Sequence, residues 1–157
     1  MKRTWTAAAL VIGAIAWSAP GMAQRGNADP PKCNLRTLNG SYLLAANGFV
    51  IVAGVPQPKA LIEQIDFYGD GSGFSPYAAL ALDGNPLVIN TSGGAASYGF
   101  DGDTCSGKIA FANGPTHVVY MDPDGDKGWT LLMSPTSNVF QGTLTRVGPL
   151  KGRDERH

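Results

Sequence analysis

Histidine and cysteine are nearly missing from this chain, with two of each in 157 residues. That leaves too few nitrogen and sulfur ligands for a dedicated metal centre, so no metal and no other cofactor is expected. Charge is sparse and even, with 12 basic and 12 acidic residues. No basic patch stands out, which argues against a nucleic-acid partner. A basic amphipathic helix is also lacking, and with it the usual signature of a membrane-surface protein. After Ala23 no apolar stretch approaches the length of a membrane span. Catalytic signatures are absent too. Ser72 in Gly71-Ser72-Gly73 is not a nucleophile elbow, because position 70 is aspartate where Gly-x-Ser-x-Gly needs glycine. Asp122-Pro-Asp124-Gly-Asp126-Lys127-Gly128 is acidic enough to suggest calcium. However, Lys127 holds the glycine position of an EF-hand loop, and Met133 falls where its bidentate glutamate belongs. A solvated acidic turn is expected there, with a loose calcium site as the alternative.

What is present begins with an address. Lys2-Arg3 gives a basic start, residues 7–17 are apolar, and Ala19-Pro20-Gly21-Met22-Ala23 supplies small residues for cleavage. This is the pattern of a signal peptide over residues 1–23, and it predicts export to a periplasmic or secreted location. In such an oxidising compartment Cys33 and Cys105 have one possible pairing, and a disulfide between them is expected. Two free thiols, or one nucleophile, is the competing reading. Residues 24–32 read as a flexible leader, 33–147 as one domain, and 148–157 as a loose charged tail.

Within the domain, glycine-containing pairs punctuate short apolar stretches. Asn39-Gly40, Asn47-Gly48, Gly69-Asp70-Gly71, Asp83-Gly84, Gly93-Gly94, Asp101-Gly102, Asn113-Gly114 and Asp124-Gly125 all suggest turns. The intervening runs are rich in Val, Ile, Tyr, Phe and Thr. They predict strands at 41–46, 49–55, 59–68, 74–82, 86–91, 95–101, 107–112, 116–122, 128–133 and 138–146. No helical period persists between the glycines. The fold class is therefore all-β: a small antiparallel barrel of eight to ten strands, with a β-sandwich as the alternative.

Four stretches carry a family likeness. They are Cys33-Asn-Leu-Arg-Thr-Leu-Asn-Gly-Ser-Tyr42, Ile65-Asp-Phe67-Tyr-Gly69-Asp-Gly71, Tyr98-Gly-Phe100-Asp-Gly-Asp103-Thr-Cys105-Ser-Gly107 and Ser137-Asn-Val-Phe140-Gln-Gly142-Thr-Leu-Thr-Arg146. Together they resemble the landmarks of a group of small exported bacterial proteins of unknown function. That group is similar in plan to the allene oxide cyclase barrel, a calycin-like cup of eight strands. The resemblance implies architecture and carries no active-site residue across. Thr104 is a departure, since the group joins the acid directly to the cysteine, and a bulge there would keep the disulfide attainable.

Two residues stand out as candidate chemistry. Strict alternation in Leu61-Ile-Glu63-Gln-Ile65-Asp-Phe67 puts Glu63 on the apolar face, where a carboxylate is costly unless paired or functional. Burial would raise its pKa and suit it to acid–base work, whereas a one-residue slip would turn it to solvent. His117 is the one histidine within the domain and alternates with Val119 and Met121. It is a candidate partner for a carboxylate, or a plain strand histidine. Aromatic residues fall on nearly every strand, able either to line a cavity or to fill a core. The function expected is an exported barrel binding a small apolar ligand in its cavity. The alternative is an isomerase, cyclase or lyase using Glu63 and His117, and a second alternative is a solid-cored structural or protein-interaction module.

Overall fold

The computed structural model describes residues 32–89 and 94–150. The expected signal segment, most of the expected leader, part of the expected Gly93-Gly94 turn and the last residues of the expected tail lie outside the described residues. A 3-10 turn at Leu35–Thr37 leads into nine strands. They are β1 (Asn39–Val52), β2 (Val55–Tyr68), β3 (Ser72–Leu82), β4 (Asn85–Ile89), β5 (Gly94–Phe100), β6 (Ser106–Phe111), β7 (Thr116–Met121), β8 (Lys127–Ser134) and β9 (Asn138–Gly148). Every pairing is antiparallel. The sheet order is β2-β1-β9-β8-β7-β6-β5-β3-β4, and β2 also pairs with β3. That last pairing closes eight strands into a barrel and leaves β4 outside the ring, attached only to β3. The sandwich alternative is thereby set aside.

One expected turn is corrected. Asn47-Gly48 does not break the chain but lies in the middle of β1, so the stretch 41–46 and residues 49–52 of the next form one strand. Glycine is needed there for contact rather than for turning. A side chain at Gly48 would collide with the carbonyl oxygen of Val139 on β9. The reversal comes instead at Ala53-Gly54, with φ of 50° and 82°. Positive φ at both central residues suits the twist of a two-residue hairpin. Asn39-Gly40 likewise opens β1 rather than marking a turn between elements.

One end of the barrel is plugged by the segment that precedes β1. Asn34 caps the 3-10 turn, accepting from the Arg36 N–H, while the Asn34 N–H donates to Thr37 Oγ1. Leu38 then drops into the interior with no exposed surface. Two buried tyrosines hold the plug from below. The Tyr98 hydroxyl reaches the carbonyls of Leu35 and Leu38 at 2.7 and 2.8 Å. The Tyr42 hydroxyl donates to the Gly125 carbonyl at 2.7 Å and accepts from Arg146 Nε at 3.1 Å. Arg146 also pairs with Asp126 at 3.5 Å, so part of the acidic Asp122–Asp126 turn is engaged in holding this end. The Cys33–Cys105 disulfide ties the plug to the loop between β5 and β6. The extra Thr104 is absorbed in that loop, where Asp101 accepts from the N–H groups of Asp103 and Thr104, and Cys105 takes φ of 53°.

The disulfide spans 72 residues of sequence. In the chain-entropy account such a link is worth about 4 kcal/mol, a large share of a small domain's stability. Cys33→Ser or Cys105→Ser should therefore lower the melting temperature by on the order of 10 °C. Alkylation of the unreduced wild type should label neither cysteine. Tyr98→Phe keeps the ring but removes the hydroxyl shared by the part-buried Leu35 carbonyl and the buried Leu38 carbonyl. It should cost about 1–3 kcal/mol in urea unfolding.

Candidate functional site

The two halves of the barrel interior differ in kind. Next to the plug, the inward positions are large and apolar. Tyr42, Phe67, Leu44, Ile65, Met121, Val119 and Leu144 are all fully or almost fully buried there. Tyr42, Phe67, Tyr98 and Phe100 meet edge to face in a continuous row, with centroids 5.4, 5.1 and 6.1 Å apart. This packing adds specific aromatic contacts to the burial of area. Toward the far end, Ala46, Ala78 and Ala96 stand among the larger Leu61, Phe111, Leu132 and Phe140, and polar side chains join them. Of the buried polar residues, Ser41 lies near the plug and donates to Asp66 at 2.6 Å. Glu63, Ser75, His117 and Thr130 all lie farther up.

His117 comes from β7, paired with Ile109 on β6 and Leu132 on β8. It is 2% exposed, and its ring sits edge-on to Phe111 at 6.3 Å. Burial, and then the charge of Lys59, press its pKa down to about 4. At neutral pH it is an uncharged imidazole with one donor and one acceptor. Neither ring nitrogen has a hydrogen-bond partner among the described residues. Ser75 Oγ, Thr130 Oγ1 and Asn138 Oδ1 are likewise buried and unpartnered.

Glu63 comes from β2, paired with Leu44 on β1 and Ala78 on β3. It is buried, in line with the alternation of β2. Burial pushes its carboxyl above the ordinary carboxylate value, and Ser75 acts in the opposite direction. Ser75 approaches the carboxyl without reaching full hydrogen-bond geometry, so the restraint on Glu63 is loose. Glu63 and His117 do not touch. In the ring, β2 and β7 stand four strands apart in either direction, so the two side chains rise from opposite walls. The charge acting on His117 is that of Lys59, which shares the inner face of β2 with Glu63.

Sequence reasoning identified Glu63 and His117 but passed over Lys59, Ser75, Thr130 and Asn138. Lys59 was within reach, since it continues the odd-numbered alternation of β2. Thr130 was masked by its neighbours. Trp129, Leu131 and Met133, three of the four large apolar residues of β8, point outward and are exposed, leaving Leu132 alone to mark the inner face. Ser75 was masked by an irregularity. The β2–β3 register shifts between Gln64 and Asp66, so the buried positions of β3 run Gly73, Ser75 and then Ala78. Ser72 takes no part, because its hydroxyl donates to Asp70 in the exposed hairpin turn.

The two titratable groups act on stability in opposite directions. His117 has a folded pKa below its unfolded value, so the unfolded chain binds more protons between the two. Its contribution is present above the unfolded pKa of about 6.5 and is lost as pH falls toward 4, by up to about 3 kcal/mol. His117→Leu should flatten the acid limb of a stability–pH profile measured by urea unfolding. Glu63 has a raised folded pKa, so its contribution is full below the unfolded value and is lost as pH rises through the folded one. Glu63→Gln should therefore be more stable than wild type at pH 7, with the gain vanishing in acid below about pH 4.

Comparison of the chain with protein-family models, with curated proteins and with solved structures finds no match.

Proposed function

We propose that this protein is an exported binding barrel that holds one small molecule in its far half. The observation that carries the reading is the set of buried, unpaired polar atoms on His117, Thr130 and Asn138. Buried polar groups in native proteins are almost always paired, and each one left unpaired costs about 1–3 kcal/mol. A solid structural core would be cheaper if built from apolar residues of the same size. A bound molecule offering its own donors and acceptors makes the arrangement favourable. An eight-stranded barrel is wide enough to be filled by its own side chains or to hold one small ligand, and the unpaired polar atoms favour the second. The ligand is therefore amphipathic: an apolar body against Phe111, Leu132 and Phe140, and polar groups toward His117 and Thr130. Export is supported by the disulfide, which belongs to oxidising compartments.

A second reading is an isomerase, cyclase or lyase in the same space. It is favoured by Glu63 and His117 facing the interior from opposite walls with their pKa values displaced from the ordinary. Glu63 would serve as acid and neutral His117 as base, on a substrate held between them.

Protein exposed to native extract, washed and then denatured should release a small molecule seen by mass spectrometry. A His117→Leu/Thr130→Val double variant should release at least tenfold less. An empty wild-type eluate, or equal recovery from the folded double variant, would count against the reading. Glu63→Gln should retain the molecule in either case. It should halt conversion of that molecule if the second reading holds.

A further inference from the structure

Lys59 is placed as few lysines are. It continues the inner face of β2, in step with Leu61, Glu63, Ile65 and Phe67. Its Nζ lies 5.2 Å from the ring centroid of Phe140, which is itself 3% exposed. Its charge is felt at His117, on the far side of the ring. The ammonium thus looks into the barrel rather than away from it. Burial weakens its hold on the proton, and no carboxylate among the described residues offsets this. Among the described residues Lys59 makes no ion pair. Glu63 is four residues along the same strand, about 13 Å away at the backbone. Asp83 follows Leu82, the cross-strand partner of Lys59, yet lies outside ion-pair range.

The surroundings complete a site. Lys59 and Phe140 are the two cross-strand partners of Gly48 on β1, so no side chain stands between the ammonium and the ring. Beyond Lys59 come the ring of Phe140 and then the unpaired atoms of His117 and Thr130. An uncompensated cation at the entrance of an apolar, hydrogen-bonding interior favours one class of guest over its neutral counterpart.

We propose that Lys59 makes the site selective for an anionic amphiphile, with the acid head on the Lys59 ammonium and the apolar body against Phe140. The inference rests on the binding reading above and adds the charge of the ligand to it. Two naphthylamine fluorophores of nearly the same body test it: 8-anilinonaphthalene-1-sulfonate, which is anionic, and N-phenyl-1-naphthylamine, which is neutral. The purified protein should bind the anionic probe at 1:1 stoichiometry at least tenfold more tightly than the neutral one. Lys59→Met should erase that preference by weakening the anionic probe alone, and Lys59→Arg should keep it. Should Lys59→Met fold poorly, Lys59→Gln provides the same comparison. Equal 1:1 binding of both probes by wild type would overturn the anion inference and leave the binding reading standing. Unchanged preference in a folded Lys59→Met or Lys59→Gln variant would do the same. Failure of both probes to bind at defined stoichiometry would take both readings down together.

Discussion

The hydrogen bonds of two buried tyrosines to backbone carbonyls outside the sheet hold this barrel in shape. A closed sheet satisfies its own backbone, but the segment that blocks its end does not. The carbonyls of Leu35, Leu38 and Gly125 have no ladder to join. Tyr98 and Tyr42 supply donors to them from inside the wall. The same two rings form part of the aromatic row that fills the plugged half. One pair of residues therefore links core packing to closure of the end.

Closure at one end permits looseness at the other. With stability concentrated around the plug and the disulfide, the far half tolerates features that a small core would otherwise exclude. Alanines occupy positions where large side chains would pack, and polar atoms sit buried without partners. A carboxyl and an imidazole stand on opposite walls of the interior, burial raising the pKa of the first and lowering that of the second. Such local departures from good packing and pairing are where function is expected in a fold that is otherwise consistent.

Much of this was legible in the sequence, and the failures are instructive. Period-two alternation placed Glu63 correctly, because β2 is regular through that region and both its neighbours in the ring are long strands. The pairing of the cysteines followed from their number and the expected compartment. Ala53-Gly54 was missed because its left-handed alanine has no compositional signature, whereas Asn47-Gly48 has the signature and serves as a contact site instead. Thr130 was hidden because apolarity on β8 marks the outer face, with Trp129 46% exposed. Ser75 was hidden because a register shift changes the parity of β3 midway. Hydrophobic pattern reports the core only where strands are regular and their outer faces polar.

The chain also enters and leaves at the same pole. Cys33 is tied beside Gly102, and Gly148 lies against Ser41 at the start of β1. Anything joined before Lys32 or after Leu150 therefore departs from the plug side. The opposite rim carries hairpins and no chain ends among the described residues. A tether, tag or fused neighbour attached at Lys32 or Leu150 would hold the barrel by its plugged end, like a cup by its stem.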